Sequence, residues 1–184
     1  EGNVSGQVLT ATSDVSVTGN GTLGLTNLVA HAGQLNATGS ATIASRGMSA
    51  QLALDGNIDG LIQGGRGAIN GDVTLTPETV ALQAQLDNAA FGDLRLRTAH
   101  VRAEGPMRNI QAHFDLRGAL RRAPLTFEGV SLISMRDGVT HAQIQGQGAL
   151  AGAAVSTRTP ITATWGDNQV DGTLDVTLAD GALQ

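Results

Sequence analysis

The residues of this chain that could do chemistry are few and scattered. Four histidines, His31, His100, His113 and His141, stand far apart in sequence, and none has further ligands at metal-binding spacing. They read as polar-face side chains rather than as metal ligands or general bases. Cys is absent, so there is no thiolate nucleophile, disulfide or sulfur ligand, which leaves the redox compartment open. Two short patterns imitate binding sites. Gly19-Asn20-Gly21-Thr22-Leu23-Gly24 has the letters of a dinucleotide fingerprint, but that motif works only where a strand turns into a helix whose N-terminus holds the pyrophosphate. Here Leu25-Thr26-Asn27-Leu28-Val29 follows and reads as another strand. Asp55-Gly56-Asn57-Ile58-Asp59-Gly60 opens like a Ca²⁺ loop, yet the twelfth position is Arg66 where a bidentate Glu belongs, so the segment reads as a turn. Neither a Gly-x-Ser-x-Gly elbow nor a His-Glu-x-x-His pair occurs. Asn3, Asn20 and Asn36 begin glycosylation sequons, which matter only in a eukaryotic secretory pathway. These residues predict no enzyme, no metal and no cofactor.

The arginines are the one concentrated chemical feature. All 11 basic residues are Arg and Lys is absent, against 16 acids, for a net charge of -5. Residues 1–90 hold seven acids and two Arg, 91–136 four acids and eight Arg, and 137–184 five acids and one Arg. The middle is therefore basic by +4 in an acidic chain. Arg95, Arg97, Arg102, Arg108, Arg117, Arg121, Arg122 and Arg136 either meet phosphates through bidentate contacts or stand outward as a solvated strand face. The alternation Leu94-Arg95-Leu96-Arg97 favours the second reading.

Composition narrows the field further. Aromatics are 2% of the chain, Phe91, Phe114, Phe127 and Trp165, with no Tyr. Single-strand nucleic-acid binders and sugar-stacking platforms need aromatic faces, so both are disfavoured, and no nucleic-acid partner is expected. No run approaches the roughly 20 apolar residues that span a bilayer, and no signal peptide opens the chain. A chain of 184 residues that opens on Glu1 is expected to be a single β-rich segment over 1–184, a fragment of something longer, with any anchor outside it.

The elements that must position these residues are strands. Val80, Leu82, Ala84 and Leu86 alternate with Gln83, Gln85 and Asp87; Ile110, Ala112, Phe114 and Leu116 alternate with Gln111, His113, Asp115 and Arg117. Over Gln169–Ala179, Val170, Leu174, Val176 and Leu178 share one face and Asp171, Thr173, Asp175 and Thr177 the other. Shorter copies occur at Leu52/Leu54, Val73/Leu75, Leu94/Leu96, Leu125/Phe127 and Val130/Leu132. Asp137-Gly138 and Gly166-Asp167-Asn168 have hairpin-turn chemistry, and all four prolines are expected between runs. Glycine, 25 residues, is about twice the usual ~7%, which predicts many bends. With no helical period anywhere, the chain reads as an antiparallel meander of about 12 to 14 strands.

Nearly every strand has one apolar and one polar face, and no helix is available to cover the apolar one. A flat sheet of that size would expose far more than the few hundred Å² of apolar patch usual on a soluble monomer, so it must fold over as a barrel, sandwich or trough. A dry self-filled interior, an occupied one and an open groove all remain allowed. Small aliphatics fill a wide interior poorly; an alkyl chain is a fitting occupant, at about 0.8 kcal/mol per buried CH₂.

Val101–Gly118, with its Gly105-Pro106 followed by an alternating strand, resembles the repeating units of the TamB/AsmA-like family, as do Pro124–Gly129 and Val170–Gly181. The likeness covers about residues 70–184; toward the N-terminus the Gly/Asn/Thr runs look equally like a bacterial adhesin. The resemblance implies an elongated meander curved into a trough, the β-taco. It further implies a periplasmic location in a Gram-negative envelope and an inner-membrane anchor outside this segment. The aliphatic lining would conduct phospholipid acyl chains between membranes during outer-membrane biogenesis, with an Omp85-class barrel as a partner. The family supplies no catalytic residues. Only a lining can be mapped, and alternation nominates Leu52, Leu54, Val73, Leu75, Val80, Leu82, Leu86, Leu94, Leu96, Ile110, Phe114, Leu116, Leu125, Phe127, Val130, Leu132, Val170, Leu174, Val176 and Leu178. The competing expectation is a structural or adhesive β-solenoid of the autotransporter-passenger type, against which the unsteady glycine spacing counts.

Overall fold

The computed structural model describes residues 2–4, 7–59, 64–136, 139–166, 169–173 and 176–178. These form β1 (Gly2–Val4), β2 (Gln7–Val17), β3 (Leu23–Ala32), β4 (Leu35–Ala44), β5 (Gly47–Asn57), β6 (Gly65–Leu75), β7 (Thr79–Phe91) and β8 (Leu94–Pro106). β9 (Asn109–Leu120), β10 (Ala123–Arg136), β11 (Val139–Leu150), β12 (Ala153–Thr157), β13 (Ile161–Gly166), β14 (Gln169–Thr173) and β15 (Val176–Leu178) complete them. All fifteen join one sheet, each pairing antiparallel with its neighbours, and among the described residues there is no helix.

The far edge has a simple logic. β12 and β13 pair with the two halves of β11, at Gln147–Leu150 and Thr140–Ile144, and so make one strand broken around Pro160. β14 and β15 continue it outward in the same way, pairing with β13 and β12. Fifteen segments therefore fill thirteen ranks, within the range expected from alternation. Where the ladder breaks, Thr157 takes over: its Oγ1 accepts from Gly146 N–H at 3.0 Å and donates to the Gly146 carbonyl at 3.3 Å. Hairpin tips are also tied to the next hairpin, as in Arg121 N–H to the Asp93 carbonyl at 3.0 Å and Ala151 N–H to the Pro124 carbonyl at 2.8 Å.

Several expectations from the sequence are corrected. Leu125/Phe127 and Val130/Leu132 belong to a single 14-residue strand, β10, rather than to two. Pro106 ends β8 and Pro124 is the second residue of β10, so these two prolines sit inside strand ends, where fewer ladder bonds are at stake. Many glycines likewise lie inside strands. The solenoid architecture is overturned: antiparallel neighbours succeed one another in chain order, whereas a solenoid stacks coils in parallel register. β10 and β11 pair as the Asp137-Gly138 hairpin requires, and β13 with β14, but Asp137, Gly138, Asp167 and Asn168 lie outside the described residues.

The alternation slips by one residue in places, and Asn marks the slips in β3 and β7. Asn27 (φ 50°) and Asn88 (φ 51°) take the left-handed conformation that Asn tolerates better than most side chains. In β7 the apolar face passes from Leu86 to Ala89, and in β8 from Leu96 to Ala99 across the unpaired Arg97. The best-buried cluster, Ala89, Leu96 and Ala99 with Leu86, Phe91, Leu94 and Leu116 against it, forms at these slips.

The sheet is open and weakly curved, and substantial contacts join only paired strands. Its accessible surface is 12134 Å², against about 8300 Å² expected for a compact 18.7 kDa monomer from surface scaling. Among the described residues no second layer covers the apolar face.

Candidate functional site

Cross-strand register assigns each side chain to a face. Leu35, Gly56, Ile69, Leu86, Ala99, Leu116, Phe127, Gly148 and Val155 pair in succession and form one apolar row across nine ranks. A parallel row runs Leu52, Val73, Leu82, Ala103, Ala112, Ser131, Ile144 and Ile161. Between them lies Leu54, Gly71, Ala84, Val101, Phe114, Gly129 and Gly146. No charged residue interrupts these rows. At ~4.8 Å per rank, the thirteen ranks span about 58 Å.

Fourteen nominated lining residues share this face: Leu52, Leu54, Val73, Leu75, Val80, Leu82, Leu86, Leu94, Leu96, Ile110, Phe114, Leu116, Leu125 and Phe127. Val130 and Leu132 do not. Unbroken alternation through β10 pairs Val130 with His113 and Gln145, and Leu132 with Gln111 and Gln143, so both belong to the polar face; Leu132 is 44% exposed. The nomination failed because apolar type was read in isolation, while β10 keeps one parity from Ala123 to Arg136. Val170, Val176 and Leu178 pair through their backbones with Trp165, Thr157 and Val155. Leu174 lies outside the described residues.

The lining nominated from alternation left out the small residues. Ala41, Ala50, Ala89, Ala99, Ala103, Ala112 and Ala142 are the buried floor of the apolar face, with Ala99 only 2% exposed. Ala41, Ala50, Ala112 and Ala142 lie on unbroken alternations, and Ala89, Ala99 and Ala103 follow once a one-residue slip is permitted in β7 and β8. The aromatic pair is also a packing device. The Phe114 and Phe127 rings stack at 5.9 Å and 18°. Each lies over a glycine of the next strand: a methyl on Gly129 would come 2.8 Å from Phe114 Cζ, and one on Gly146 2.7 Å from Phe127 Cε1. A backbone carbonyl oxygen is nearer still at each, that of Gln145 at Gly129 and that of Glu128 at Gly146, so backbone and ring together require glycine there.

The opposite face carries a continuous polar ladder. Thr10, His31, Asn36, Asp55, Asn70 and Gln85 pair in succession, and the row continues through His100, Asp115, Glu128, Gln147 and Ser156. Hydrogen bonds run along it: His31 Nδ1 to Asn36 Oδ1 at 2.6 Å, Asn36 Nδ2 donating to Asp55 Oδ2 at 3.3 Å, and Gln147 Nε2 donating to Glu128 Oε1 at 3.0 Å. A concavity of about 1040 Å³ follows this face from β6 to β12, its walls set by side chains such as Gln85, His100, Arg102, His113, Asp115 and Gln145. Sequence reasoning treated these as solvated residues, because no local spacing shows that eleven strands place polar side chains in register.

The dinucleotide-like motif behaves as a turn, whereas the Ca²⁺-loop-like one corrects the expectation of a turn: Asp55, Gly56 and Asn57 are the end of β5, paired with β4 and β6, and Gly60 lies outside the described residues. Residues 18–22 close the β2–β3 connection, with Thr22 N–H donating to Asn20 Oδ1 at 3.1 Å, and a strand follows. Asp59 Oδ1 accepts from Gly67 N–H at 3.0 Å, which fastens the β5–β6 connection to β6. Among the described residues no group of three His, Asp or Glu is placed to hold a metal, and no helix is long and apolar enough to cross a membrane. The chain matches no protein-family model, no curated protein and no solved structure.

Proposed function

We propose that this chain is a non-enzymatic segment of a lipid conduit, with phospholipid acyl chains lying on the aliphatic face. The observation that carries the reading is that face: rows of Leu, Val, Ile and Ala cross the sheet without a charge, and among the described residues no second layer covers them. Contacts to methylenes are the same for any headgroup and nearly equal from rank to rank, so a chain on this surface moves without specific binding steps to break. The resemblance of Val101–Gly118 and Pro124–Gly129 to the TamB/AsmA-like family supports the same reading. It would set the segment in the periplasm, between an inner-membrane anchor and an Omp85-class outer-membrane barrel, in outer-membrane biogenesis.

The test is mass spectrometry of an organic extract from the purified chain, with a denatured aliquot and an unrelated β-protein as controls. Stoichiometric phospholipid released on denaturation is the expected result. Leu116→Asp should abolish it, because a carboxylate among aliphatic neighbours is costly where water is excluded, whereas Val130→Asp on the reverse face should leave it unchanged. Equal lipid in both variants would sink the proposal. The second reading is a structural or adhesive sheet, and the 1040 Å³ polar concavity is what favours it. A folded chain free of lipid would put that reading first.

A further inference from the structure

The arginines form an edge, and the structure gives that edge a chemistry the alternation did not. Arg66 pairs with Ala90, Ala90 with Arg95, and Arg95 with Ala119, so two cations lie two ranks apart, about 10 Å, with alanines between and beside them. Arg97 is the unpaired residue at the slip in β8. Arg121 and Arg122 form the neighbouring hairpin tip. Arg121 is held by Asp93 of the adjacent tip, Nε to Oδ2 at 2.8 Å. Among the described residues, Arg66, Arg95, Arg97 and Arg122 are exposed and have no ion pair.

Two observations separate this edge from an ordinary solvated face. The first is strain. Arg121 (φ 51°) and Arg122 (φ 87°) occupy both central positions of a tight hairpin turn, where Asn-Gly is the favoured pair and a long side chain is penalised. A residue held against its backbone preference points to a requirement beyond folding. The second is what lies behind the cations. On the reverse of the same hairpins sit Phe91, Leu94, Leu96 and Leu120 of the apolar face, with Leu96 in the best-buried cluster. Cations and aliphatics therefore meet along one rim, in a chain that is otherwise acidic.

We propose that this rim docks on an anionic phospholipid surface, the arginines meeting phosphodiester headgroups while the aliphatic face stands beside the acyl region. The proposal rests on the lipid reading for its biological sense but concerns a different surface and a separate measurement. A chain of net charge -5 is repelled by an anionic vesicle as a whole, so attraction to one reports the local patch.

The experiment is co-sedimentation of the whole chain with vesicles of phosphatidylcholine alone or with 30 mol % phosphatidylglycerol, at low and high salt. Wild type should bind the phosphatidylglycerol vesicles, more weakly as salt rises. Arg95→Gln, Arg97→Gln and Arg122→Gly combined should lower the partition coefficient roughly hundredfold, at about 1 kcal/mol per arginine. Arg122→Gly relieves a positive φ, so this single variant should unfold at higher denaturant while binding less, which separates lost docking from lost folding. Equal binding to both vesicle types, or an unaffected triple variant, overturns the proposal. So does displacement by millimolar inorganic phosphate, which would mark a site for the free anion. Arginine-dependent docking by a chain that releases no phospholipid on denaturation would keep this inference and remove the conduit; extractable lipid with no arginine dependence would do the reverse.

Discussion

Phe114 and Phe127 show how single residues decide the local thickness of this sheet. Each ring reaches over a glycine on the next strand, so the missing side chain and the large one are a matched set. Gly146→Ala should cost about 1–3 kcal/mol, because the new methyl meets the Phe127 ring and the neighbouring backbone, and overpacking forces one of them to move. Gly19, in the β2–β3 turn, has nothing within 4 Å of a would-be Cβ and needs no positive φ. Gly19→Ala should therefore leave the urea midpoint unchanged. If both substitutions shift the midpoint alike, close packing is not why Gly146 is glycine. Neither Gly129 nor Gly146 announces its role in the sequence, since the partner ring is 15 residues away in the chain for the first and 19 for the second, and adjacent only through register.

At the level of elements, the alternation of apolar and polar side chains fixes strands, and the slips fix where their faces change hands. The break between β12 and β13 shows how the sheet manages a defect. Thr157 gives Gly146 a donor and an acceptor in place of the missing ladder partner. Thr157→Val keeps the shape and removes both bonds, so it should cost about 1–3 kcal/mol, the price of unsatisfied backbone groups. Hydrogen exchange at the Gly146 amide should accelerate while exchange at the β7–β8 pair stays slow. Uniform acceleration over the whole sheet would mean the break is not a separate weak point. The sequence marked this place with Pro160 but could not show which backbone groups it would orphan.

The described residues form a single layer, and the thermodynamics of the chain should show it. A chain with 12134 Å² still exposed buries less on folding than a compact domain of the same length. Its urea m-value should accordingly fall below that of a compact globular domain of 184 residues, since m follows the area exposed on unfolding. An m-value typical of a compact domain would mean that the apolar face is covered in solution, by a second copy or by folding over. Bound lipid should raise the midpoint in proportion to the logarithm of its concentration.

What the sequence determined by itself is local: the all-β class, the antiparallel meander, a count of about 12 to 14 strands, and the apolar side of fourteen nominated residues. Each follows from a period of two and from turn chemistry, which act between residues close in the chain. What only the tertiary structure decided depends on register. Val130 and Leu132 are on the polar face because β10 runs unbroken past them, and the buried floor is alanine because one-residue slips at Asn88 and Arg97 carry the apolar face from Leu86 and Leu96 to Ala89 and Ala99. The polar ladder from Thr10 to Ser156 and the arginine rim are assembled the same way, from residues brought side by side about 4.8 Å apart across strands. Pairing energy is summed over whole strands, so a slip in one strand resets the neighbours of every residue beyond it, and no single segment contains that information.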